Sequence, residues 1–260
     1  MVWTIEAEGA VMQAQTIDEV IHHLDEIIQA AKDTNNRMGY FAALYRKVTV
    51  EVKKGIEAGQ FDDGNRMEKL DVIFANRYLE AYSQYANSGK LTQSWQLAFE
   101  ATHQWRLTVL QHLFLGMIAH IDLDLGIAAA QTVKGQNLAT LQKDFDKINH
   151  ILVSLLNEVQ QDLAKVWPLL QVFDLAAGDL DETLARFGIE IARGRAWRVA
   201  QDLVTRKPVE IEARIRELDQ ETSRLGKMIL APGKTLQVIL LIIRLGEMGS
   251  IPKKIAILED

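Results

Sequence analysis

Leu138-Ala-Thr-Leu-Gln-Lys-Asp-Phe-Asp-Lys-Ile-Asn-His-Ile-Leu-Val-Ser-Leu-Leu-Asn-Glu-Val-Gln-Gln-Asp-Leu-Ala-Lys-Val166 carries the cleanest pattern in this chain. Leu138, Leu141, Phe145, Ile148, Leu152, Leu155, Val159, Leu163 and Val166 recur at steps of three and four. That spacing lines one face of an α-helix and predicts a long amphipathic element with a single apolar stripe. Lys134-Gly135-Gln136-Asn137 is a turn before it. Pro168 should stop it, because the residue before a proline is pushed out of the α region.

Working outward, helix signals dominate. Thr16 and Glu19 form a capping box for a helix running to about Asp33, and Asn35-Asn36 reads as a turn. A second helix is expected from about Met38 to Ala58, stopped by Gly59. The alternation of Val48, Val50 and Val52 leaves a short strand there as an alternative. Asp62-Asp63-Gly64 opens a third helix to about Asn87. A fourth helical region begins near Thr92 and extends through Trp105, and the run from Leu107 to about Val133 continues in helical register, with Gly116 and Gly126 as places where it can break. Asp179 caps a helix to about Arg206, and Pro208 starts another to about Ile229. Leu236 to Leu245 is the most apolar stretch and reads as a buried helix, too short to span a bilayer. The predicted class is all-α, a bundle of about eight to ten helices without a substantial sheet. Residues 1–15 read as an N-terminal extension and 16–260 as one helical domain. A break at Trp167–Asp179 would divide it into packed subdomains 16–167 and 179–246, with an extended tail over 247–260.

The 260 residues are 48% hydrophobic and 25% charged, the balance of a globular protein. There is no cysteine, which excludes disulfides, thiolate metal sites and cysteine nucleophiles, and fits a reducing cytoplasm. A net charge of −6 argues against a general nucleic-acid binder. The first fifteen residues do not have the pattern of a signal peptide, so a cytoplasmic location is expected. No P-loop, Gly-x-Ser-x-Gly, His-Glu-x-x-His or Gly-x-Gly-x-x-Gly motif is present.

The chemically suggestive segment is Glu100 to Asp124, which holds His103, His112 and His120. Glu100 and His103 are i, i+3, and His120 and Asp124 are i, i+4, so each pair puts a carboxylate and an imidazole on one helix face. Helix bundles build divalent-metal sites from such pairs. On a continuous helix residues 103 and 120 would lie about 25 Å apart, and 112 and 120 about 12 Å apart, too far to share one ion. A site therefore needs a turn in the chain between Trp105 and Gly116, or ligands from other helices, such as Asp18, Glu19, His22, His23 or Glu26 on the first. Asp71 and Glu80 on the third helix, or Asp144, Asp146 and His150 on the long one, are further candidates. His120 held by Asp124 can equally be a buried structural pair. Arg77, amid apolar neighbours beside Tyr78, needs a carboxylate such as Asp124 or Asp122 if it is buried. Arg193, Arg195, Trp197 and Arg198 form a basic cluster that is either an anion site or a solvated face.

Tyr40-Phe-Ala-Ala-Leu-Tyr-Arg46, Phe74-Ala-Asn-Arg-Tyr-Leu79, Ser94-Trp-Gln-Leu-Ala-Phe99 and Leu110-Gln-His-Leu-Phe-Leu-Gly-Met-Ile-Ala-His-Ile-Asp-Leu-Asp-Leu-Gly126 together resemble a bacterial family known only as a domain of unknown function. The resemblance covers most of residues 16 to 230 and implies an α-helical fold without an assigned activity. Where that family commonly carries Asn, this chain has Ile118 and Asp122. His120-x-x-x-Asp124 is also distantly similar to ligand pairs of zinc-dependent phospholipase C and related nucleases, but Trp3 is not first in the chain and only His150 follows downstream.

Three functions are compatible with these residues. One is a polar pocket around His112, His120 and Asp124 that takes a small ligand, lined by Arg77, Tyr78 and Gln111, with His120 as general base oriented by Asp124. A second is a divalent-metal hydrolase or oxidase using His120, Asp124, His103 and Glu100. The third is a structural or interaction protein whose helix at 235–246 packs on a partner or on a second copy in a homo-oligomer.

Overall fold

The computed structural model describes residues 12–166 and 180–260, and among these every regular element is helical. The elements are α1 (Ile17–Asp33), α2 (Met38–Glu57), α3 (Gly64–Ala86), α4 (Gln93–Ala101), α5 (Val109–Met117), a π-helical segment (Ile118–Leu125), α6 (Gly126–Thr132) and α7 (Ala139–Val166). Then follow α8 (Leu180–Thr205), α9 (Pro208–Leu230), α10 (Lys234–Gly246) and α11 (Ile251–Glu259). The expected break at Trp167–Asp179, Pro168, the Asp179 cap and residues 1–11 of the N-terminal extension lie outside the described residues, as do the side chains of Val159 and Leu163.

Local chemistry explains most boundaries. The Thr16 hydroxyl accepts from the Glu19 amide at 3.2 Å, and Ile17, Val20, Leu24, Ile27, Ile28 and Ala31 then bury one face of α1. Asn35, with φ 53°, turns the chain into α2. Along α7, Leu141, Phe145, Ile148 and Leu155 are buried, as the stripe requires. Asp144, on its other side, is fully buried and accepts from the amides of Asp62 and Asp63 and from the Arg66 guanidinium. It thereby clamps the start of α3 to α7. Lys47 of α2 and Asp162 of α7 form a buried ion pair at 2.8 Å.

Two expectations are corrected, and the alternative of a short strand within α2 falls away. The valines at 48, 50 and 52 lie in α2, where Tyr45, Thr49 and Val52 form a helical rather than alternating buried face. The tail is not extended: Ser250 caps α11 and Pro252 stands in its first turn, the preferred place for a residue without an amide hydrogen. Ile255 and Leu258 are buried against the body. Finally, the Leu236–Leu245 helix is not buried, and α10 holds no buried residue at all.

The run from Thr92 to Val133 is divided too. α4 ends at Ala101, and the chain turns before Thr108 restarts it with a capping box to Gln111. From Val109 to Thr132 the helix is long and apolar enough to cross a membrane by composition, but 72% of its most apolar window is buried inside the fold. Its middle is the π segment, which belongs to every part of the core. Ala119 packs in the cluster built from α1–α5 and α11, Leu125 in that of α3, α7 and α8, and Leu123 in that of α8 and α9.

Close helix crossings rest on small residues. A Cβ on Gly126 would stand 2.7 Å from the Ala196 carbonyl oxygen of α8, a backbone atom that cannot swing away. Gly188, also on α8, has nothing within 4 Å of the same position. Gly126→Ala should therefore cost about 1–3 kcal/mol through overpacking, while Gly188→Ala should add about 0.5–1 kcal/mol by helix propensity. Denaturant unfolding of the two variants measures the contrast.

Candidate functional site

The centre of the molecule is built on two facing helices. The π segment supplies His120 and Asp124, both almost fully buried at 2% and 1% exposure. π turns are rare and concentrate at functional sites. α3 supplies Phe74, Arg77 and Tyr78. Arg77 Nε donates to Asp124 Oδ1 at 2.6 Å, Trp95 Nε1 of α4 donates to Asp124 Oδ2 at 2.8 Å, and His120 Nδ1 lies 3.3 Å from the same Oδ2. The carboxylate expected for Arg77 is thus Asp124. Asp122 points elsewhere, 3.5 Å from Arg195 Nε of α8.

Around His120 stands an aromatic cage. Phe74 stacks on the imidazole at 3.6 Å between ring centres, Tyr45 meets it edge-on at 4.6 Å, and Phe41, Trp95 and Tyr78 close the remaining sides. Burial disfavours the imidazolium and lowers the His120 pKa, with Asp124 opposing. Burial alone would raise Asp124, but Arg77, His120 and Trp95 hold it below the usual carboxylate range. The arrangement is therefore Arg77 cationic, Asp124 anionic and His120 neutral. A carboxylate only accepts, so Nδ1 carries the proton toward Asp124 and Nε2 presents a free lone pair. That is the geometry of an oriented base.

Several polar atoms here have no hydrogen-bond partner among the described residues: His120 Nε2, Tyr45 Oη, Tyr78 Oη and one Asp71 oxygen. The Thr49 hydroxyl beside Tyr45 donates instead to the Tyr45 carbonyl. Asp71, Phe74 and Tyr78 share one face of α3 at i, i+3 and i+7. Burial, aided by the charge of Glu68, pushes the Asp71 carboxyl up to about 7. Burial and the Asp71 charge raise the Tyr45 phenol as well.

His112 belongs to a neighbouring compartment. It is 5% exposed, neither ring nitrogen has a hydrogen-bond partner among the described residues, and it lines a cavity of about 20 Å³ with Arg37, Thr102 and Gly116. Phe41, Tyr78 and Trp95 also line this cavity, so the same three rings that cage His120 separate it from His112. A Cβ on Gly116 would overlap the Phe41 ring, which is how that ring reaches the cage. Burial lowers the His112 pKa to about 3, with help from Arg37, Arg244 and Lys254.

Other expected site residues fall elsewhere. The Gln111 side chain completes the α5 cap and donates to the Ile229 carbonyl, binding α5 to α9. His103 lies in the turn after α4, on the surface, hydrogen-bonded to the Tyr85 hydroxyl. Glu100 borders an open groove of about 570 Å³ and accepts from Gln96. The chain does turn between Trp105 and Gly116, yet it does not join these residues to His120 and Asp124. Among the described residues no three His, Asp or Glu side chains come together as a metal-binding group, so the four-residue metal set is not assembled. His22 and His23 pair with Glu26 on the surface of α1. In the basic cluster, Arg193 is buried, donating to the Phe145 carbonyl and lying over its ring, and is therefore structural. Phe41, Tyr45, Phe74 and Trp95 are the members of the cage that sequence reasoning missed. All four stand within motifs that carried the family resemblance, which was the available signal.

Comparison with family models matches residues 17–232 to the family of unknown function DUF5995, and the chain belongs to that family. Comparisons with curated proteins and with solved structures give no match.

The buried titratable groups make stability depend on pH in two directions. An unfolded histidine takes up a proton near pH 6.5, whereas folded His112 stays neutral to about 3. Acidification through that window therefore favours the unfolded chain. Asp71 opposes this: folded, it keeps its proton up to about pH 7, so its contribution is present at low pH and lost as pH rises. Between pH 4 and 6, His112→Phe should lower the slope of stability against pH by about 1.4 kcal/mol per pH unit, and Asp71→Asn should raise it. Denaturant unfolding across that range reads both, and an unchanged slope in His112→Phe would mean that the folded imidazole is charged.

Proposed function

We propose that this DUF5995 protein binds a small polar molecule against His120, within the aromatic cage, and that His120 Nε2 acts on it as a base oriented by Asp124. The reading rests on one observation, the gathering of buried polar atoms without partners among the described residues from the π segment, the facing side of α3 and Tyr45 of α2. A buried donor or acceptor without a partner costs about 1–3 kcal/mol, and a purely structural core would carry Phe in place of Tyr45 and Tyr78 at lower cost. The hydroxyls can donate and Nε2 can accept, so the complementary ligand has both a hydrogen-bond acceptor and a donor or acidic proton. Entry is by way of the His112 cavity, through movement of Phe41 or Trp95, since the cage itself is packed shut. The setting is a bacterial cytoplasm, with which a cysteine-free chain is compatible.

The decisive variant is Tyr45→Phe/Tyr78→Phe. Without ligand it should be more stable than the parent by about 1–3 kcal/mol, because it removes orphaned hydroxyls. Compounds that raise the unfolding temperature of the parent in a screen of small polar metabolites should bind the double variant at least roughly tenfold more weakly, the loss of one good hydrogen bond. The proposal is abandoned if no compound shifts the parent, or if those that do bind both proteins equally.

A further inference from the structure

The pair α9 and α10, bent by 69° at the break between them, presents a surface that the buried centre does not explain. Val238, Ile242 and Leu245 stand at i, i+4 and i+7 on α10 and are 59%, 61% and 71% exposed. No charged residue occurs between Lys234 and Arg244. A helix on the surface of a globular protein turns its apolar stripe inward, and α10 turns its stripe out. An exposed apolar patch of this kind marks an interaction site. Trp105, 52% exposed, extends the patch at the C-terminal end of α10, where its carbonyl accepts from Arg244 Nε at 2.7 Å.

Charge identifies the occupant. The whole chain carries −6, yet Arg224 to Lys254 holds six cations against one acid, Glu247. Arg244 and Lys254 are engaged by Glu247. Arg224, Lys227, Lys234 and Lys253 are exposed and form no ion pair among the described residues. We infer that α10 seats this protein on an anionic lipid surface. Thirteen residues rise about 20 Å, less than the ~30 Å hydrocarbon layer, so the helix lies in the plane of the interface rather than across it. Its apolar stripe enters the acyl boundary, Trp105 sits at headgroup depth, and the free cations face the phosphates. A second copy seated on the same face by a two-fold axis would bring the cations of both chains together, which charge disfavours.

The test is cosedimentation of the full-length protein with vesicles of phosphatidylcholine alone or mixed with phosphatidylglycerol. Binding is expected to the mixed vesicles, weakening as salt is raised. Lys227→Gln/Lys234→Gln should lower the partition coefficient about thirtyfold, and Ile242→Glu should abolish binding, both with unaltered unfolding curves because the positions are exposed. Absence of binding, or equal binding to neutral and anionic vesicles, overturns the inference. So does a dimer in sedimentation velocity that Ile242→Glu dissociates, which assigns the face to a second copy. Slow hydrogen exchange of α10 relative to α9 in the free monomer also overturns it, by showing that the chain itself covers the helix.

Discussion

The Arg77–Asp124 ion pair is the contact around which the core is arranged. A carboxylate removed from water is tolerated only when its charge is matched and its lone pairs are used. Asp124 meets that condition with three partners from three elements: Arg77 of α3, Trp95 of α4 and His120 of its own π segment. Each partner is thereby fixed in place. Arg77 sets the rotation of α3, which turns Phe74 onto the His120 ring and Tyr78 into the cage. Trp95 draws α4 against the segment, and its ring becomes a wall shared with the His112 cavity. Because the positive charge comes from Arg77, His120 stays neutral, and its outward nitrogen stays basic.

What could be read from the residues follows how local the determining interaction is. The α7 stripe, the Thr16 cap and the turn at Asn35 are contained within a few positions, and pattern sufficed for them. The need of Arg77 for an acid was legible because a guanidinium among Ile73, Phe74 and Leu79 has few alternatives. The aromatic cage was not legible. Tyr45, Phe74 and Trp95 each read as ordinary core, and only the crossing of α2, α3 and α4 makes them neighbours of one imidazole. The π segment has no sequence signature of its own, since its apolar spacing is that of an α-helix. The contact of Gln111 with the Ile229 carbonyl was not legible either, because that partner lies in a remote part of the chain.

α10 shows the converse error. The ten-residue run Leu236–Leu245, eight of them apolar, reads as buried because burial is the usual fate of such a run. Hydropathy states that a segment avoids water without saying what shields it. The surrounding charge carried the missing information: a chain that is acidic overall becomes basic where it is most apolar. The buried centre and the exposed helix are joined through α5, since Val109 at its start donates to Glu247 just after α10, while its far end runs into the π segment.

Asp219 of α9 is another buried acid with distant partners, accepting from the amides of Gln93 and Ser94 and from the Ser94 hydroxyl at the start of α4. The partners are separated by 125 residues or more. α4 is only nine residues long, below the length at which a helix persists alone. Its first turn is therefore completed by a residue that leaves the ribosome long after it. Trp95 belongs to that turn, so the wall of the His120 cage also rests on a contact with the C-terminal third of the chain. The centre is thus tied to the closure of a very long loop as well as to the helices that carry it.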